Sequence, residues 1–237
     1  MPDINDIEKA GERIANAKAK GLTYADFRSV RLTTEDISLL DGKPDKIDRK
    51  VSFGFGVRVL VDGAWGFTAM PGCDENLARQ ALDSAIAIAR ASARLQSAPV
   101  TLAPIKAVKG TYQTPLEQDP FSVSLTDKVD LLKRLDANLR RTEGITGSEA
   151  FMNFRREEKW FFSSEGAVIT QTIVHSGGGM AATAMRSRRE VGERSYPTSG
   201  GQHRAGGYEV IAVMNLEAAC RKTAEEAMAL LDAPMPG

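Results

Sequence analysis

The sequence predicts an α+β fold, antiparallel sheets with flanking helices. Three observations predict it. One segment alternates apolar and small or polar residues with period two and turns back through Asp62-Gly63. Several other segments carry apolar residues at helical spacing. The turns between strand-like segments are short, and parallel strands would need crossovers of about a dozen residues or more.

Taken in order, Ile4, Ile7, Ala10, Ile14 and Ala17 form one helical face and predict a helix over 3–20, with Gly21 as its stop. An extended segment follows, carrying Phe27, Val30, Leu32, Ile37 and Leu39, and Asp41-Gly42 marks a turn. Val51, Phe53, Phe55, Val57, Val59 and Val61 then occupy odd positions, with Ser52, Gly54, Gly56 and Arg58 between them. This pattern is a half-buried strand. Asp62-Gly63 suits a two-residue hairpin whose central residues need positive φ, and Trp65, Phe67 and Ala69 continue on the return strand. The Gly-x-Gly at 54–56 therefore lies inside a strand. A dinucleotide loop needs its glycines between a strand and a helix N-terminus, so these two are expected to admit a close neighbour instead.

Asp74 is the expected cap of a helix striped by Leu77, Ala81, Leu82, Ala85, Ile86 and Ala89. Residues 98–123 carry four prolines and read as an extended connector. Ser124, with Asp127 three residues on, is the expected start of a helix faced by Val129, Leu132, Leu135 and Leu139. Strand-like segments follow, with turns expected at Ser164-Glu165-Gly166, at 176–179 and at the charged run 155–158. A glycine-rich loop over 193–210 precedes a last helix with Leu216, Cys220, Ala227 and Leu231. The order helix, strands, helix occurs twice, as a duplicated unit would show. Residues 1–97 form the first half, 98–123 the connector and 124–237 the second half.

The chain has 237 residues, with 31 Lys+Arg against 31 Asp+Glu and a formal net charge of zero. That balance gives no electrostatic reason to expect direct nucleic-acid contact. No apolar run approaches the ~20 residues a bilayer helix needs. The acidic start "MPDINDIEKAGERI" lacks the features of a secretory signal, and the expected location is the cytoplasm.

The residues do not assemble a recognisable reaction centre. The two histidines, His175 and His203, lack ligand partners at the short helical spacing of zinc sites, and no nucleophile elbow or phosphate loop occurs. No catalytic or metal-ligating residue is assigned. Cys220 falls on an apolar helix face and reads as core, and Cys73, beside a helix start, as a bystander. The best candidates for contacting a guest molecule are His203, Arg204, Tyr208 and Glu209, polar groups on the glycine-rich loop.

The strings "GFGVRVLVDGAWGFTAM", "SSEGAVITQT", "GGYEV" and "AMALLDAP", in that order, resemble the N-terminal part of the TldD/PmbA peptidases, also known as modulators of DNA gyrase. The resemblance runs from about Ile4 to Ala233 and is nearer to the TldD side. It implies a zinc-dependent cytosolic peptidase acting on peptides or unfolded segments, paired with a TldE/PmbA-like subunit or forming a homodimer. The family's zinc ligands come from a His-Glu-x-x-x-His helix and a later cysteine. That helix follows the segment corresponding to 230–237, and no residue here matches it. The expectation is an N-terminal substrate-admission and assembly domain, inactive alone, with zinc belonging to the full-length protein. The alternative is a stand-alone peptide-binding or gyrase-linked regulatory module.

Overall fold

A computed structural model of the chain describes residues 3–233. Residues 234–237, including the Pro234 that ends the string "AMALLDAP", lie outside the described residues. The helices are α1 (Ile4–Ala15), α2 (Glu75–Ala93), α3 (Leu125–Leu139), α4 (Glu209–Val213) and α5 (Leu216–Ala229). The strands are β1 (Leu22–Leu40), β2 (Lys43–Val61), β3 (Ala64–Pro71), β4 (Lys109–Gln113), β5 (Ile145–Ser163), β6 (Val168–Ser187), β7 (Glu190–Tyr196) and β8 (Gln202–Ala205). The fold is α+β. Among the described residues eight strands form one sheet, six of them in the order β3-β2-β1-β5-β6-β4, with β7 and β8 also paired to β6. β2–β3, β6–β7 and β6–β8 pair antiparallel, and β4–β6 pair parallel.

Packing divides the chain into two compact units, each drawn from three stretches. Unit 1 comprises 1–32, 51–113 and 157–173, and unit 2 comprises 33–50, 114–156 and 174–237. The long strands β1, β2, β5 and β6 each contribute to both.

In unit 1 the odd residues of β2 from Phe55 onward enter the core as the alternation predicts, whereas Val51 is exposed and Phe53 only partly buried. Phe55, Val57, Val59 and Val61 pack with Phe27 of β1, Trp160 and Phe162 of β5, and the buried faces of α1 and α2. Asp62 and Gly63 hold φ values of 51° and 77°, as a tight hairpin between right-twisted strands requires. Asp74 caps α2 by accepting from the backbone N–H of Asn76 and Leu77, each at 2.8 Å. The α2 stripe of Ala78, Ala81, Ala85 and Ala89 is small enough for backbone to meet backbone: a Cβ on Gly66 of β3 would stand 1.9 Å from the Ala85 carbonyl oxygen.

In unit 2, Leu132, Leu135 and Leu139 of α3 and Leu216, Cys220, Ala224 and Ala227 of α5 cover Ile37, Leu39, Met152, Phe154 and Met180. Each fully buried leucine contributes about 1.5–3 kcal/mol. Ser124 caps α3, its hydroxyl accepting from Asp127 N–H at 3.1 Å. The contact seen in unit 1 recurs: a Cβ on Gly192 of β7 would stand 2.2 Å from the Ala227 carbonyl oxygen. Thus α1-β1-β2-β3-α2 is echoed by α3-β5-β6-β7-α5, and each third strand presses a glycine against an alanine carbonyl of the closing helix.

Five local expectations are corrected. α1 stops at Ala15 rather than 20, because the Asn16 backbone and side-chain amides both fold back to the Glu12 carbonyl at 2.9 Å. The connector contains β4, which hydrogen-bonds to β6 over 168–172. Residues 155–158 continue β5, their charges met by ion pairs such as Arg156 with Asp119 at 2.5 Å. The glycines at 177–179 lie within β6, where they let neighbouring chain approach. A Cβ on Gly177 would sit 2.1 Å from the His203 ring, and one on Gly179 2.7 Å from Gly201 Cα. Finally, the 193–210 segment is not a loop throughout, since it holds most of β7, all of β8 and the start of α4.

Candidate functional site

Successive residues of a strand face opposite sides of its sheet, and in unit 2 that rule builds a groove. On β5, Ala150, Met152 and Phe154 enter the core under α3 and α5. Glu149, Phe151 and Asn153 face the other way. With Asp36, Lys46, Ser195, Thr198 and the β7–β8 turn they line a groove of about 360 Å³.

A chain of polar contacts runs from this groove, from Lys46 through Asp36 and Asn153, to His203 beside it. The Lys46 ammonium donates to Asp36 Oδ2 at 2.9 Å, and Asn153 Nδ2 donates to Asp36 Oδ1 at 2.8 Å. Asn153 Oδ1 lies 3.3 Å from His203 Nε2. Because the Asn153 amide nitrogen is committed to Asp36, its oxygen accepts, and the imidazole donates from Nε2. Partial burial pulls the Asp36 carboxyl up. The hydrogen bonds from Lys46 and Asn153 and the charges of Lys46 and Lys50 outweigh it and hold the carboxyl below its ordinary value. Asp36 in turn holds the Lys46 ammonium above its ordinary value.

The four residues expected to contact a guest do not share one centre. His203 and Arg204 are adjacent and exposed on β8, paired with Gly177 and Ser176 of β6, so their side chains leave opposite faces of the strand. Only His203 joins the polar chain. The Arg204 guanidinium faces the Gln202 amide oxygen, at 3.0 Å from Nε and 2.7 Å from Nη2. Tyr208 precedes α4, its ring tilted against Phe154 with centroids 6.0 Å apart, and burial followed by the Asp127 charge raises its hydroxyl pKa. Glu209 accepts from Gly207 N–H at 2.6 Å and Gln118 N–H at 3.1 Å. Burial pulls its carboxyl up, but those amides and the N–H groups of Glu209 and Glu117 outweigh it and keep the carboxyl low. Tyr208 N–H also donates to the Gln118 carbonyl at 2.8 Å, so residues 208 and 209 together clamp the chain at 118.

Asp36, Lys46 and Asn153 escaped sequence reasoning. Asp36 and Asn153 are 117 residues apart and meet only through strand pairing. The one available signal was the alternation of β5, which sets Glu149, Phe151 and Asn153 on one face.

The described residues do not fit a resident zinc. No three of their His, Cys, Asp or Glu side chains gather as a metal site requires. Both cysteines are buried thiols: burial, then Asp74 and Asp6, pushes Cys73 up to about 12, and burial, then Glu217, pushes Cys220 up to about 11. That is opposite to the shift a thiolate ligand needs. Cys220 packs in the core, with Sγ 3.5 Å from Met180 Sδ. No described helix is long and apolar enough to cross a membrane.

The family model for the PmbA/TldA metallopeptidase domain 1 matches residues 25–93, and that for the PmbA/TldA metallopeptidase central domain matches 118–231. A metalloprotease of Synechocystis sp. is 32% identical over 154 residues, covering 63% of this chain and 32% of the relative. A metalloprotease of Archaeoglobus fulgidus is 27% identical over 191 residues, covering 80% and 40%. The chain thus spans about a third to two-fifths of the length of these curated relatives. Among solved structures, a candidate modulator of a DNA gyrase from Thermotoga maritima aligns with TM-score 0.73 and 15% identity, covering 97% of this chain and 50% of that one. TldE from Thermococcus kodakarensis aligns with TM-score 0.63 and 12% identity, covering 95% and 47%. At such identities these two structures establish the fold alone.

Proposed function

This chain belongs to the PmbA/TldD metallopeptidase family, and on that premise we propose that it is the substrate-admission and assembly portion of a TldD-like zinc metallopeptidase. The guest is a peptide or an unfolded protein segment. Zinc and the bond-breaking groups are supplied by other polypeptide. The partner is a TldE/PmbA-like subunit or a second copy of the chain. One observation carries the reading: the two models that match are those of the first and central domains of the metallopeptidase.

The groove of unit 2 supports a role in holding chain. Asn153, Ser195 and Thr198 offer hydrogen-bonding groups, and Phe151 an apolar surface. In the same unit β2 begins with an exposed stretch from Lys43, and β3 covers β2 only from Gly54 onward. An extended guest can add to such an edge through main-chain hydrogen bonds with little sequence preference. Pro44 and the charges at 43–50 disfavour uncontrolled pairing there.

The test is a binding titration of the purified chain with a fluorescent, permanently unfolded peptide, with Asn153→Ala as the variant. Saturable binding weakened by the variant supports the reading. Binding only to folded gyrase subunits, and to no unfolded peptide, would replace it with the second reading, a stand-alone regulatory module. That second reading is motivated only by the gyrase-modulator description of structural neighbours such as the Thermotoga maritima protein, whose 15% identity ties it to this chain by fold.

A further inference from the structure

Among the described residues, the strands of unit 1 carry helices on one face and leave the other open. α1 and α2 pack on the side bearing Phe27, Phe55, Val57 and Phe162. On the opposite side two grooves share Arg28 and Val30. One, of about 460 Å³, continues over Phe161 and Ile169, and the other, of about 550 Å³, over Gly54 and Gly56. The glycines make a floor of bare backbone. The Phe67 ring leans over Gly56, its Cε2 2.9 Å from where a Cβ would stand, and Phe67 is nevertheless 59% exposed.

The charges on this side are layered. The Asp26 side chain is 1% exposed and is occupied by Tyr24 OH at 2.8 Å, by Arg58 Nε and Nη2 at 2.9 and 2.7 Å and, at the longer distance of 3.4 Å, by Arg28 Nε, whose guanidinium otherwise reaches solvent. Glu157 contacts Lys159 and is largely covered. The cations stand above these carboxylates: Arg28 is 59% exposed, with its guanidinium 4.9 Å from the Phe161 ring centre, and Arg58 and Lys159 are part exposed. A guest therefore meets apolar side chains flanked by positive charge.

We propose that this open face of unit 1 is a docking surface for an extended polypeptide in which carboxylates alternate with aliphatic or aromatic side chains. The apolar side chains lie over Val30, Gly54, Gly56 and Phe67, and a carboxylate pairs with Arg28, whose planar fork suits it. The proposal deepens the admission reading, on which it rests, by naming the class of guest.

The experiment compares three labelled peptides of equal length by fluorescence anisotropy against the intact chain: alternating Leu-Asp, alternating Leu-Lys and alternating Ser-Asp. The Leu-Asp peptide is expected to bind at least ~10-fold more tightly than either of the others. Arg28→Gln, Phe67→Ser and Val30→Ser each alter an exposed side chain, and each is expected to weaken it ~5-fold or more, with circular dichroism unchanged. Equal affinity for Leu-Lys, or unchanged affinity in all three variants, overturns the proposal while leaving the admission reading intact. Failure of all three peptides to bind, while the permanently unfolded peptide of the binding titration still binds, overturns the proposal and leaves the admission reading intact; failure of that peptide as well overturns both. A concentration-dependent dimer abolished by Phe67→Ser, with no peptide binding, assigns the face to a second copy and overturns the proposal.

Discussion

Replacing Lys128 by methionine tests how unit 2 is held together. The Lys128 side chain on α3 is fully buried, contacts Glu35 Oε1 of β1, and places its ammonium 4.6 Å from the Phe154 ring centre. Methionine keeps the length and the apolar contact with Phe154 but removes the charge. Glu35 is then left with the ion pair to Arg49 at 3.8 Å, and Arg49 is itself more than half exposed. Removing one member of a buried pair costs about 3–5 kcal/mol, and a solvent-screened partner such as Arg49 offsets up to about 1. The expected loss is therefore about 2–4 kcal/mol. Urea unfolding would read it as a lower midpoint at unchanged slope. Lys128→Met/Glu35→Gln removes both charges and is expected within about 1 kcal/mol of the parent. A single variant losing less than about 1 kcal/mol, or a double variant as damaged as the single, would refute the reasoning.

Gly66→Ala and Gly192→Ala each drive a methyl into a backbone carbonyl, at 1.9 and 2.2 Å; each should lower stability by about 1–3 kcal/mol or more in thermal scans, and an unchanged midpoint would contradict the helix–strand contacts. Lys46 and Asn153 hold Asp36 below its ordinary pKa. Its contribution is complete above the unfolded value near ~4 and is lost as pH falls through the lower folded value. Asp36→Asn should flatten that acid limb of the pH–stability curve, and an identical limb would show the contacts to be idle. Burial holds both thiols protonated, with Cys73 near 12 and Cys220 near 11. A thiol reagent at pH 8 should label neither until urea is added; rapid labelling of the folded chain would place a cysteine in solvent.

The parts of the fold legible in the sequence were those specified locally. The alternation of β2, the positive-φ pair Asp62-Gly63 and the caps Asp74 and Ser124 each lie within a few residues of what they organise. What escaped depends on distant partners. β4 gains its hydrogen bonds from 168–172, and β8 from His175 to Gly178. The glycines of β6 look like a turn until the His203 ring and Gly201 are seen to occupy the space that side chains would need. The charged run 155–158 sits in a strand because its charges find counterions such as Asp119 and Arg31. The candidate site was legible only at His203, because Asp36, Lys46 and Asn153 reach it through the register of the sheet.

Native mass spectrometry of the purified chain, incubated with excess zinc and an unfolded peptide, tests the central claim most directly. The account predicts a complex with intact peptide, no stoichiometric zinc and no fragments after prolonged incubation. One zinc held per chain together with peptide fragments would contradict it.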